Sequence, residues 1–270
     1  MGPTMKLSII PAVLGLAILL PVAGRSQQSA QDYVKQGWDY LQKQQFDSAI
    51  AATSKALELD PHYADAYALR GKALWAKDQK DEKALADLNR ALALDPKHVE
   101  ALNSRGLYFF GRMEYEKAVA DFSKAIELEP KLWESYRGRG LTYYHWARLE
   151  DLTADIMKAM SGSGGALKKG EKPKTNPKYD LALADFNQAI ALNPKNSFGY
   201  RWRGDAYSAK REYDPAIADY TRAIELKPGD AEAFYKRGRA FMEKGDLEHA
   251  DKDYKKACAL NPQYKGQPYQ

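Results

Sequence analysis

The residues that most often carry out chemistry in proteins are few in this chain and lie far apart. There is one cysteine, Cys258, so an internal disulfide and a cysteine-based metal cluster are excluded. No HExxH helix, GxSxG turn or glycine-rich phosphate loop occurs. The four histidines, His62, His98, His145 and His249, are scattered. We therefore expect no enzyme, metal or cofactor; the alternative, a catalytic site assembled from distant residues, would leave no such motif.

One arrangement of charged residues does recur. In five segments an arginine precedes a glycine, and an aspartate follows later, just before an aromatic or bulky residue. The first segment lacks both and has Gln36 and Ala52 instead. Because the two positions change together, we predict ion pairs between two helices of one segment, with an architectural role. The pairs are Arg70 with Asp87, Arg105 with Asp121, Arg139 with Asp185, Arg203 with Asp219, and Arg237 with Asp253.

These pairs belong to a repeat that runs along the whole chain. Six prolines follow Ala-Leu, Ala-Ile or Ala-Cys helix endings at spacings of 35, 34, 64, 34 and 34 residues, at Pro61, Pro96, Pro130, Pro194, Pro228 and Pro262. Each unit also carries a glycine, which lets two helices approach closely, and two alanine columns. The period is therefore 34 residues, with one residue added once and 30 residues added once.

The chain resembles the tetratricopeptide repeat family, with an aromatic residue at the fourth position of a unit, Gly at the eighth, Ala at the twentieth and twenty-seventh, and Pro at the thirty-second. The resemblance covers residues 30–262 and implies an all-α, right-handed superhelical solenoid of antiparallel helix pairs. The expected units are 30–63, 64–98, 99–132, 133–196, 197–230 and 231–264, with an insertion at about 147–176 and a short tail at 265–270. In this alignment Cys258 is a buried apolar residue, and Asp251 marks a last unit without a neighbour or capping helix.

The resemblance also implies that the first helix of every unit lines a concave binding face. Its ligand-contacting positions carry mostly apolar and aromatic residues in the first four units and mixed charges in the last two. The candidate contacts are Val34, Trp38, Leu41, Trp75, Leu107, Phe110, Leu141, Tyr144, Arg201, Tyr235 and Arg239. The clamp that holds chaperone tails in this family uses Lys and Asn where this chain has Val34 and Trp38, so an apolar segment is favoured there. The alternative is that these side chains pack between helices.

The insertion divides into two parts. An apolar stripe at Leu149, Leu152, Ile156 and Met160 predicts that the helix continues and buries this stripe on the groove, on a second copy or on a partner. Residues 161–178 follow, rich in Gly, Ser and Lys. The lysines Lys168, Lys169, Lys172 and Lys174 could contact an anionic membrane surface, although solvated charge is the commoner reason for such a run.

The first residues predict export. Met5 and Lys6 precede an apolar run over 7–22, and Gly24 and Ser26 are candidate cleavage positions, so residues 1–24 are interpreted as a signal peptide. The alternative is a retained anchor, but the run is short and contains Pro11. With no cysteine for lipid attachment, the predicted location is the periplasm or the medium.

Composition is that of an ordinary folded protein, with 44% hydrophobic and 29% charged residues and a net charge of +5, too low to predict nucleic-acid binding. The sequence therefore predicts a non-enzymatic scaffold that binds a protein or peptide in its concave groove. The alternatives are a structural protein that self-assembles through its terminal repeats or insertion, and an accessory subunit of an envelope complex.

Overall fold

The computed structural model describes residues 28–161 and 175–266, and these fold into an all-α solenoid. The predicted signal peptide and the four lysines of the insertion lie outside the described residues. Within those ranges there are twelve helices followed by a single 3₁₀ turn. They are α1 Ala30–Gln42, α2 Phe46–Leu59, α3 Ala64–Lys77, α4 Glu82–Leu94, α5 Val99–Gly111, α6 Tyr115–Leu128, α7 Trp133–Met160, α8 Lys178–Leu192, α9 Ser197–Ala209, α10 Tyr213–Leu226, α11 Ala231–Glu243, α12 Leu247–Leu260, and the 3₁₀ turn Pro262–Tyr264.

Each odd-numbered helix packs most extensively on the even-numbered helix that follows it. The glycine column explains how closely they approach. A Cβ atom on Gly71 of α3 would lie 2.8 Å from Leu88 Cγ and 3.0 Å from the Ala84 carbonyl oxygen of α4. Ala84 is itself fully buried at this contact. A side chain at residue 71 would therefore hold the two helices apart.

The turns inside the pairs share a backbone feature. Gln44, Met113, Arg211 and Gly245 all have positive φ angles, between 57° and 84°, and each follows the end of an odd-numbered helix. The second pair differs, because α3 and α4 are joined by residues 78–81 and Asp81 caps α4 by accepting from the Lys83 amide. This longer turn accounts for the one 35-residue spacing.

The exception to the regular helix length is α7, which has 28 residues where the other helices have 13 to 15. Its extension does not bury the apolar stripe on the groove, so of the three surfaces expected from sequence the groove is wrong, while a second copy and a partner stay predictions. Leu152, Ile156 and Met160 are 57%, 50% and 84% exposed. Residues 152–160 of α7 are all exposed, so the outer turns of the helix are not packed against the other described helices.

After α12 the described residues contain only a single 3₁₀ turn. The 3₁₀ turn folds back on the last pair, where the Tyr264 ring stacks on Tyr235 at 4.7 Å and Tyr254 Oη donates to the Tyr264 carbonyl at 2.9 Å. A single turn thus takes the place of a capping helix. Cys258 is half-buried, which differs from the expected buried residue. Asp251 is exposed, which agrees with its interpretation as a charge on a last unit, and it pairs with Lys255 at 2.7 Å.

Candidate functional site

The odd-numbered helices form one continuous surface. Each contacts the next odd-numbered helix, whereas no two even-numbered helices among the described residues pack to that extent. In a curved stack, helices on the inner side lie closer together than those on the outer side. The odd-numbered helices therefore line the concave side, which we call the groove.

At the amino-terminal end of the groove, little of the predicted contact surface is open. Val34 is buried in a core cluster, and Trp38 and Leu41 are half-buried against it. The ammonium of Lys72 lies 4.8 Å above the Trp38 ring and pairs with Glu100 at 2.6 Å. A ligand that stacks on Trp38 must first displace Lys72.

The middle of the groove contains an aromatic cluster around His145. The His145 ring lies 5.3 Å from Phe110, 5.2 Å from Tyr144 and 5.8 Å from Trp202, measured between centroids. Leu141 and Tyr144 belong to the buried core beneath this cluster, so they support the groove wall more than they present surface. Burial lowers the pKa of His145, and the nearby Arg148 lowers it further, so the imidazole is uncharged at neutral pH.

The predicted contacts Trp75, Leu107 and Phe110 are half-buried on α3 and α5. On α3, α5 and α7, three buried side-chain nitrogens have no hydrogen-bond partner among the described residues: Trp75 Nε1, Asn103 Nδ2 and Arg137 Nε. The other end of the Asn103 amide is held, because Oδ1 accepts from Ser135 Oγ at 2.9 Å. Because buried donors are normally paired, three unpaired nitrogens on these helices are an unusual feature of the groove wall.

At the carboxyl-terminal end, the predicted contact Arg201 is buried and pairs with Glu232, with Asp230 Oδ2 3.6 Å from its Nε. Its charge is therefore already used inside the protein. Tyr235 is half-buried under Tyr264, while Arg239 is exposed. Of the sequence-predicted charged contacts, Arg239 is the one that presents a free surface to the groove.

A polar network lies next to these residues. Asp205 is buried and accepts from Tyr220 Oη at 2.8 Å through Oδ1 and from Lys236 Nζ at 2.6 Å through Oδ2. Desolvation lowers the pKa of Lys236 although Asp205 opposes the shift. Burial, and next the charge of Asp205, raise the pKa of Tyr144 to about 12.

The arginine and aspartate columns pair within each helix pair. In all five, Nε and one terminal nitrogen of the arginine donate to the two carboxylate oxygens, as in Arg203 to Asp219 at 2.8 and 2.6 Å. The remaining terminal nitrogen reaches the preceding helix pair, where Arg203 Nη1 donates to Asn187 Oδ1 at 2.7 Å. Each arginine thus ties its own pair to the one before, away from the groove contacts.

Several residues of the groove were not identified from sequence. Asn103 is the fifth residue of its unit, and the fifth position was the reason for predicting Val34 as a contact. The same rule would therefore have identified Asn103. Trp202 and Lys236 lie at the sixth position of their units, which the family pattern does not assign to ligands. Arg148 lies in the extension of α7, beyond the repeat pattern.

The base of the insertion is tied to the solenoid. Glu150 accepts from Lys178 Nζ at 2.8 and 2.9 Å and from Asn176 Nδ2 at 2.8 Å. One residue further, Tyr179 Oη donates to Asp151 at 2.7 Å. These contacts join the outgoing helix α7 to the start of α8, and we call them the neck.

No group of three or more His, Cys, Asp or Glu residues in the described ranges could hold a metal ion. Over the same residues, no helix combines the length and the apolar character needed to cross a membrane.

Comparison with known proteins places the chain by its repeats. A family model described as TPR repeat matches residues 37–78 and 204–243, and models described as Tetratricopeptide repeat match 64–98, 99–132 and 231–264. No curated protein matches the chain. Together the family models cover more than half of the sequence.

Solved structures agree with this fold. PilF of Pseudomonas aeruginosa is 21% identical with a TM-score of 0.65, over 88% of this chain and 97% of PilF. PilW, a widely conserved type IV pilus biogenesis factor, is 16% identical with a TM-score of 0.68, over 90% and 97% of the two chains. YrrB, a TPR protein with an unusual peptide-binding site, is 22% identical with a TM-score of 0.55, over 79% and 94%. On the family matches and the helix pairs together, the chain belongs to the tetratricopeptide repeat proteins.

Proposed function

We propose that this protein is a non-enzymatic scaffold that binds an extended peptide segment of another protein in the groove. The observation that carries the proposal is the combination, at the middle of the groove, of half-buried aromatic side chains with unpaired buried donors. Trp75 and Phe110 offer apolar surface, and Trp75 Nε1, Asn103 Nδ2 and Arg137 Nε offer hydrogen bonds. An extended peptide supplies both complements, since its side chains are spaced along a main chain of carbonyl acceptors.

The fold supports this reading, because YrrB, which has the same fold, is described as having a peptide-binding site. Aromatic residues in a partly desolvated surface are also the side chains that most often dominate binding energy. An enzymatic role would need convergent reactive groups, and the aromatic cluster around His145 offers a single imidazole among apolar rings.

The test is selection of random 12-residue peptides on the purified chain, followed by measurement of dissociation constants by fluorescence polarisation. We expect Phe110→Ala to weaken the selected peptides by about tenfold or more, the loss that follows from removing an interface aromatic. Phe109→Ala is the matched control, because Phe109 is also half-buried on α5 but lies under Arg105 and Lys117. Failure to select any peptide, or equal losses in the two variants, would overturn the proposal.

We further propose that the protein acts in the periplasm or outside the cell, on the basis of the apolar run over 7–22 and the small residues after it. Expression of the full chain in a bacterial host, followed by fractionation and mass spectrometry of the amino terminus, tests this. The mature protein should begin at Arg25 or Gln27. A chain that keeps residues 1–24 and stays with the cytoplasmic fraction would contradict it.

A second candidate function is self-assembly through the extension of α7. The exposed stripe at Leu152, Ile156 and Met160 favours it, because exposed apolar side chains in line on a helix often mark an interface. Light scattering coupled to size exclusion tests it directly. Self-assembly predicts a dimer or larger species that Ile156→Glu converts to a monomer, and a wild-type monomer at all concentrations removes this candidate.

A further inference from the structure

A polar pocket of about 310 Å³ opens beside the aromatic cluster of the groove, between α7, α9, α10 and α11. Its lining includes Tyr144, Arg148, Asp205, Ser208, Lys236 and Arg239. Three of these side chains are cations and one is an anion. The question is whether the anion neutralises the cations.

Both carboxylate oxygens of Asp205 accept hydrogen bonds from residues other than the two arginines. Tyr220 Oη donates to its Oδ1 at 2.8 Å and Lys236 Nζ donates to its Oδ2 at 2.6 Å, and the carboxylate is 4% exposed. Lys236 also lies 3.1 Å from Glu232. The charge of Lys236 is therefore matched within the protein, and the pocket keeps the positive charges of Arg148 and Arg239.

Neither arginine forms an ion pair with an acidic side chain of the described residues, and both are exposed. They differ in this from the five arginines of the repeat columns, each of which donates to both oxygens of an aspartate. Arg148 comes one helical turn after Tyr144 and lies 5.9 Å from its ring. Because it lies in the extension of α7, a helix of ordinary length would not supply it.

We propose that this pocket binds the carboxylate of an acidic side chain in the peptide segment that occupies the groove. Two guanidinium groups at one pocket offer the paired N–H donors that a carboxylate accepts, and hydrogen bonds between charged partners are stronger than those between neutral ones. The adjacent rings of His145 and Trp202 would hold the neighbouring apolar residue of the same segment. This inference rests on the proposed peptide-binding function and adds the chemistry of the partner.

The test uses peptides selected on the wild-type protein from two libraries, one with carboxyl termini fused to a carrier and one with free carboxyl termini. A selected peptide is then compared with a version in which its acidic residue is replaced by the matching amide, against wild-type protein, Arg148→Gln and Arg239→Gln. The control is Arg222→Gln, since Arg222 is an exposed arginine on α10 outside the pocket. Circular dichroism establishes that the variants are folded.

We expect peptides from the fused library to contain an acidic residue at a fixed position. The amide version and each pocket variant should bind about tenfold more weakly or worse, and the two changes together should lose little more than either one. Arg222→Gln should bind as the wild type does. If acid-dependent binding arises only from the free-end library, the carboxylate site stands and its ligand is a chain terminus instead of a side chain.

Peptides that bind wild type without dependence on an acid, or that bind Arg148→Gln and Arg239→Gln as tightly as wild type, overturn this inference and leave the proposed function standing. If no peptide is selected from either library, both fall. The Phe110→Ala comparison separates the two further, because Phe110 contacts the aromatic cluster and does not itself line the pocket.

Discussion

Replacing Arg203 by methionine tests the ion pairs that join the helices. Arg203 donates twice to Asp219 and once to Asn187, and Asp219 is 5% exposed. Methionine retains an apolar side chain of similar length but has no hydrogen-bond donor. The buried Asp219 carboxylate therefore loses the partner that donates to both of its oxygens. Removing one member of a buried pair costs about 3 to 5 kcal/mol. Because the Arg203 side chain is about one quarter exposed, we expect the lower end, about 3 kcal/mol.

The loss should depend on pH. Burial raises the pKa of Asp219, and Arg203 opposes that shift in the wild type. Without Arg203, the pKa in the folded state rises further above its unfolded value. A carboxyl group whose pKa is higher in the folded state than in the unfolded state lowers the free energy of unfolding when it is charged. This loss disappears once the pH falls below the pKa of the unfolded state. The difference in unfolding free energy between Arg203→Met and wild type should therefore shrink between about pH 7 and about pH 4.

Urea denaturation followed by circular dichroism measures both effects. The matched control is Arg222→Met, because Arg222 pairs with Glu225 at 2.7 Å on the surface of the same region, with both side chains at least half exposed. That variant should lose much less stability than Arg203→Met and show little pH dependence, because exposed ion pairs contribute little. Equal losses in Arg203→Met and Arg222→Met, or a loss in Arg203→Met that does not change with pH, would refute the reasoning.

Two further predictions concern packing. Gly138→Ala should lower the unfolding free energy by about 1 to 3 kcal/mol in urea, because the new Cβ would lie 2.5 Å from Phe122, which Gly106 confines on its other side. Gly229→Ala, with no atom within 4 Å, is the control and should change it by less than about 0.5 kcal/mol. Tyr264→Ala should speed hydrogen exchange in α11 and α12, because it removes the ring that stacks on Tyr235. Tyr264→Phe keeps the ring and should leave exchange unchanged. Unchanged exchange in the alanine variant would contradict the capping role of the 3₁₀ turn.

The repeat made the helices and their order readable from sequence, because glycine, alanine and proline columns mark close approaches and chain turns. It did not separate groove from core. Val34 and Leu141 sit at positions that the family uses for ligands, yet here they are buried between helices. The position of a residue within a repeat predicts which side of the helix it lies on. Its exposure also depends on the side chains of the neighbouring helix, as the Lys72 side chain that covers the Trp38 ring illustrates.

The sequence predicted that α7 continues past its neighbours, but it predicted neither the polar pocket nor the exposure of the apolar stripe. Asp205 and Lys236 lie 31 residues apart on different helices, and their pairing depends on how α9 and α11 stack. The apolar stripe of α7 was expected to be buried because apolar residues in line usually are. What decided its exposure is length, since the helix runs past its neighbours at Leu152 and beyond.

The neck has a consequence for how this protein can be modified. The ion pair between Glu150 and Lys178 joins α7, where the insertion begins, to the start of α8, where it ends. The distance between the two ends of the insertion is therefore set by this contact and not by the residues between them. Because loop-closure entropy grows slowly with length, adding residues between these two ends should lower the free energy of unfolding only slightly. The insertion is therefore a suitable place to add a reporter domain or a second binding module. A domain inserted after Met160 would be attached to the end of α7, and the helix pairs on either side of the insertion would keep their packing.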